Sequence, residues 1–195
     1  MLDVVFDILR VLHMMSFALG IGAAAFLELQ VSKRFRNQID GDGLRLMLSG
    51  HHLITVAVIT LWITGLSLLL MRIGPLGGEL TAKILAKLAV VTLLTLNMRV
   101  IDRFVIPELF DVEGMALGDI PQSTRARLGA VAGLSAGCWM AALLIGGMSI
   151  AKEMTALELG CAVGAVLSIS AVAGAIAGLA AQGLGHTRDS WLRLE

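Results

Sequence analysis

The sequence predicts an all-α protein, a transmembrane bundle of about five helices with the N-terminus outside and the C-terminus cytoplasmic. Three observations predict it. Apolar residues make up 57% of the chain and charged residues only 15%, against roughly 45–50% and 25% in a soluble domain. The apolar residues come in runs of about 18 or more, the length a helix needs to cross the hydrocarbon core. The charges gather in short stretches between those runs, as loops outside a bilayer require.

The first span covers about 4–28. Acids open the chain (Asp3, Asp7) and the apolar stretch runs on to Val31. A cleaved signal peptide opens with positive charge and has a shorter apolar core, so this segment is expected to stay as a helix. A polar stretch, 32–49, follows, with a turn signal at Asp40-Gly41-Asp42-Gly43. The second span, 51–71, stops at Gly74-Pro75, and the third, 82–104, closes before Pro107. An acidic loop (Glu108, Asp111, Glu113, Asp119) leads to Ser123 or Thr124, either of which can cap the fourth span, 128–151. The fifth span covers 156–182, and a polar tail leaves the membrane. The whole of 1–195 reads as one transmembrane domain.

Positive residues are retained on the cytoplasmic side, and this sets the orientation. Lys33, Arg34, Arg36, Arg45, Arg99, Arg103, Arg125, Arg127, Arg188 and Arg193 fall on one side, against Arg10, Arg72, Lys83, Lys87 and Lys152 on the other. The bias places the N-terminus outside and the C-terminus in the cytoplasm; the expected location is a bacterial inner membrane, crossed several times. Net charge is zero, which leaves no basic patch for nucleic acid. Walker, HExxH and GxSxG motifs are absent, so hydrolytic and nucleotide-driven functions have no support. Cys138 and Cys161 both lie in apolar runs and form neither a CxxC pair nor a disulfide framework; they read as small packing residues.

Small residues recur at intervals of four on the last two spans: Gly129, Gly133 and Gly137, then Gly160 and Gly164, and Gly174 and Gly178. Such spacing lets two backbones approach closely in lipid. It predicts packing of span four on span five; a groove for a flat cofactor, or for a second copy or larger membrane complex, is the functional alternative.

Ionisable groups inside a membrane are costly, which makes them functional candidates. His13 lies about 13 Å into span one by helical rise, with Ser16 and Gly20 on the same face. Lys87, in span three, and His13 both fall about 22–24 Å from the cytoplasmic boundary and are expected to share a layer. His51 and His52 stand at the cytoplasmic mouth of span two, about 20 Å from His13 in depth, too far to share one metal with it. They read equally as ligands or as an interfacial pair wetted by headgroup water. His51, Thr55 and Trp62 form one face of span two; Thr60, Thr64 and Ser67 form the opposite one. An imidazole on a membrane helix suits haem. Sulfur from Met14, Met15, Met140, Met148 or Cys161 beside His13 would suit copper. In most such positions Met simply fills gaps in a helical core. Trp62 and Trp139 are mid-span and are expected to pack against helices.

The stretch from Leu9 to Leu109 resembles the superfamily that includes CopD-type copper-resistance proteins and HemJ-type protoporphyrinogen oxidases. The residues that carry the likeness are Arg10-Val11-Leu12-His13 followed by Gly20, then Trp62-Ile63-Thr64-Gly65 and Leu85-Ala86-Lys87-Leu88. Asn97-Met98-Arg99 through Pro107-Glu108-Leu109 completes it. For HemJ-type members the resemblance implies haem b held through a first-helix histidine, here His13 as metal ligand, and a lysine required for activity, here Lys87 as catalytic candidate. Ala86 stands where that type has tryptophan, and Asn97 where it has histidine. Haem-dependent membrane redox chemistry is therefore the leading expectation, with His51, His52 and Lys87 as further cofactor-binding candidates. Copper handling, and a cofactor-free accessory subunit docking through spans four and five, are the alternatives.

Overall fold

The computed structural model describes residues 1–34, 40–74, 77–115 and 119–180. Arg36, Pro75 and the tail from 181 to 195, with the end expected for the fifth span at Gln182 and the tail's Arg188 and Arg193, lie outside the described residues. The described residues form helices and no strands. They run α1 (Leu2–Arg34), α2 (Gly41–Ile73), α3 (Ala82–Val100), a π-helical turn (Ile101–Val105), α4 (Ile106–Asp111), α5 (Gln122–Gly147), a 3-10 turn (Ile150–Lys152) and α6 (Ala156–Ala180). The π turn joins α3 to α4 without a break, so five segments are long and apolar enough to cross a membrane.

The helices outrun the expected spans, and local chemistry explains where. Asp40 is the N-cap of α2, and its side chain accepts from the Gly43 N–H at 2.8 Å. The Asp-Gly-Asp-Gly sequence thus starts a helix about ten residues before His51 and is not a turn in mid-loop, because a carboxylate satisfies one of the first-turn donors. The third span does not close before Pro107. The Ile106 N–H bonds the Ile101 carbonyl across a widened turn, and this loosens the backbone at the point where the Pro107 ring would crowd the Arg103 carbonyl. The chain stays helical through Glu108. The fourth span starts at Gln122, with Pro121 at the N-cap position and no side-chain cap from Ser123 or Thr124; the Thr124 hydroxyl donates to Glu108 instead. That span ends at Gly147, short of Ala151.

Antiparallel pairs organise the bundle: α1 lies on α2, α5 on α6, and α3 packs against α5 and α6. A hydrogen bond fixes the register of α2 on α3, with Trp62 Nε1 donating to Thr95 Oγ1 at 3.0 Å, and the Thr55 oxygen lies 3.7 Å from Met98 Sδ. The Asn97 side chain, buried, donates to the Val131 carbonyl and ties α3 to α5. The core gathers Ile54, Val58 and Leu61 from α2, Val90 and Leu94 from α3, and Cys138, Trp139 and Ile145 from α5. Large apolar side chains also cover the outside; Leu70, Leu157 and Ile169 are each about 70% exposed or more, at 70%, 77% and 69%. Water would make so greasy a surface untenable for a monomer, whereas lipid does not. The hydroxyls agree with this. Ser16, Thr55, Thr60, Thr64, Ser67, Thr92 and Thr95 each donate to the carbonyl four residues earlier, which satisfies them without solvent.

The α5–α6 contact is glycine-dependent. A Cβ at Gly129 would strike the Gly174 carbonyl, one at Gly133 the Ser170 carbonyl, and one at Gly178 the Arg125 carbonyl. The predicted close packing of these two spans is therefore present, and it uses Gly129, Gly133, Gly174 and Gly178. Gly160 and Gly164 meet nothing within 4 Å, so the face of α6 that carries them points outward.

Candidate functional site

His13 and Thr64 form the first polar node. Thr64, 3% exposed, spends its hydroxyl proton on the Thr60 carbonyl at 2.6 Å. Its oxygen can then only accept from the imidazole, and His13 Nδ1 stands 2.8 Å away. A neutral ring in that contact carries its proton on Nδ1 and leaves Nε2 with a bare lone pair. The arrangement is the one that orients an imidazole for a metal or for proton transfer. Gly65 makes room for the ring, since a Cβ there would come within 3.1 Å of His13 Cε1. His13 itself is half-buried, so the ring can be reached from outside the helix pair.

Lys87 belongs to the same level. It lies within electrostatic range of His13, and Lys83, one turn away, donates to the Met148 carbonyl at 3.2 Å. Two turns below His13, the face it shares with Ser16 and Gly20 receives Trp139. The indole lies where a Gly20 Cβ would be, with Phe17 tilted against it at 5.7 Å between centroids. Trp139 Nε1 is buried and has no hydrogen-bond partner among the described residues. Both mid-span tryptophans pack against helices, as their positions predict.

Met14, Met15, Met140 and Met148 are exposed, as is Cys161, while Cys138 is fully buried. Among the described residues no three His, Cys, Asp or Glu side chains cluster.

His51 forms the second node, about 20 Å along α2 from Thr64 by helical rise. It stands ten residues inside α2, because Asp40 starts that helix early. Its Nε2 lies 2.7 Å from Asp102 Oδ1. Asp102 sits on the π turn, whose widened backbone carries it to face α2. The two side chains differ in exposure, 10% for His51 and 44% for Asp102. His52 points the other way and is exposed, so the two neighbours do not act as a pair. His51, Thr55 and Trp62 all face α3, and Thr64 faces α1, as their spacing on the helix predicts.

Beside this node is a half-open, mostly apolar cavity of about 560 Å³ between α1, α2, the π turn, α5 and α6. Among the described residues, Glu28, His51 and Arg125 are its ionisable lining. Arg125 is 3% exposed. At the start of α5, Arg127 pairs with Glu108 of α4. Neither Asp102 nor the cavity was legible in the sequence: Asp102 resembles an ordinary end-of-span acid, and a void has no sequence signal. Thr64 carried one, as part of the Trp62-Ile63-Thr64-Gly65 stretch.

As for chemistry, His13 offers one nitrogen with a fixed tautomer, space from Gly65 and a nearby cation. A lone imidazole so held can serve as a metal ligand or in proton transfer. His51 fits a ligand role less well, since its Nε2 is engaged by Asp102. Comparison with protein-family models, with curated proteins and with solved structures finds no match.

Proposed function

We propose that this integral membrane protein holds haem b through His13 Nε2 and takes part in membrane redox chemistry. The single observation that carries the reading is the Thr64–His13 contact, which presents Nε2 as a free donor at membrane depth. The likeness of Arg10–Leu109 to CopD-type and HemJ-type proteins supports it. Lys87 supplies a cation at the same level for a carboxylate of the cofactor or substrate. Bound there, haem supplies one-electron chemistry; the protein orients the ligand nitrogen and excludes water. The Lys/Arg bias supports an N-terminus outside and a C-terminus in the cytoplasm of a bacterial inner membrane.

Purified protein from haem-replete cells should be coloured, with a Soret band that shifts on reduction and is lost in His13→Ala. A colourless preparation that hemin does not change removes the reading. Copper at the same nitrogen is the neighbouring possibility, and metal analysis of that preparation separates the two.

One observation favours a second reading, a cofactor-free subunit of a membrane complex or homo-oligomer. Gly160 and Gly164 leave one face of α6 smooth and uncovered, while the other glycines of the motif are already used inside the chain. A chain that is monodisperse only with a partner, and colourless, would support it.

A further inference from the structure

The His51-side cavity is separate from the proposed haem node, and its chemistry points to a different ligand. It is about 560 Å³, within the range of roughly 300–1,000 Å³ typical of small-molecule pockets. Its walls on α5 and α6 are built from small residues, among them Ala132, Ala136, Ala173 and Ala177. They leave a smooth apolar trough at a bundle end, of a width that larger side chains would close. An aqueous solute has nothing to bind along such walls, but a hydrocarbon chain does, and the surrounding solvent supplies hydrocarbon chains.

The charges decide which lipid. Arg125, on the α5 wall, is a guanidinium with five N–H donors, more than one partner can use. Glu28, on the α1 wall, is exposed to the cavity. A net-negative head group attracted by Arg125 would be repelled by Glu28. A choline head matches the charges, but its quaternary nitrogen has no N–H to give a carboxylate. A primary ammonium next to a phosphate satisfies both walls, with the phosphate accepting from Arg125 and the ammonium donating to Glu28. We infer that the cavity binds one phospholipid of the ethanolamine class, its acyl chain lying against the alanine-lined walls of α5 and α6.

The test uses the full chain, delipidated in detergent, with phosphatidylethanolamine, phosphatidylcholine and phosphatidylglycerol of identical acyl chains, read by native mass spectrometry. Phosphatidylethanolamine should bind about tenfold more tightly than phosphatidylcholine, the worth of a charge-assisted hydrogen bond. Glu28→Gln should abolish that difference. Arg125→Gln should weaken both lipids, Arg125→Lys should restore them, and Ala136→Phe should reduce occupancy of all three. Should Arg125→Gln not fold, Glu28→Gln decides alone, as Glu28 is exposed. Equal binding of the ethanolamine and choline lipids overturns the inference. So does preference for phosphatidylglycerol, or wild-type binding in Ala136→Phe.

Discussion

At the scale of single residues, the membrane sharpens ordinary hydrogen-bond accounting. A hydroxyl in water has many partners; Thr64 has the Thr60 carbonyl for its proton and His13 for its lone pair. Removing the hydroxyl while keeping the shape therefore isolates one function. Thr64→Val should cost about 1 kcal/mol of stability, the usual worth of one such bond, and should release the His13 tautomer. In a haem-loaded preparation the Soret maximum and the reduction potential should both move, whereas Thr60→Val, whose hydroxyl touches only its own helix, should leave them in place. Spectra of the two variants recorded side by side check this. Identical spectra for wild type and Thr64→Val would remove Thr64 from the site.

At the scale of elements, small residues set how near two helices come. Lipid chains are as apolar as leucine, so helix association in a bilayer depends on van der Waals fit and not on escape from water. Gly133 and Gly174 are in backbone contact across α5 and α6, and neither can accept a side chain without moving a helix. Gly133→Leu should lower stability by about 1–3 kcal/mol, as overpacking usually does, and should lower the melting temperature in detergent. Gly164→Leu, facing open space, should leave the melting temperature within about a degree or two of wild type, as surface changes do. A reversed order would mean that α6 packs through its other face. The π turn is the second element-level device. By widening the helix ahead of Pro107 it sets Asp102 opposite His51, and so connects a backbone irregularity to a polar contact on the neighbouring helix.

At the scale of the whole molecule, the defining property is the solvent. The bundle exposes leucine, isoleucine and valine over most of its length, and only 6% of the central α6 window is buried. Lipid must cover the remainder. The chain should therefore stay with membranes through high salt and alkaline carbonate and leave them only in detergent. Recovery in the soluble fraction would contradict the fold as well as the site. For the proposed orientation, a reporter fused after residue 195 should be active only on the cytoplasmic side, and one fused ahead of residue 1 only outside.

Sequence alone determined the helical class, the number of spans, the close fit of the last two helices, the faces of α2 and the shared level of His13 and Lys87. These are one-dimensional properties: hydropathy persists along a run, and a rise of about 1.5 Å per residue converts position into depth. It did not determine where the helices end, because an N-cap carboxylate and a π turn before proline are local choices that carry polar residues into helix. Nor did it reveal the His51–Asp102 contact, the Thr64 anchor on His13 or the cavity beside Arg125. Each needs the lateral arrangement of helices, and rotation about a helix axis is settled by how side chains from different spans interlock.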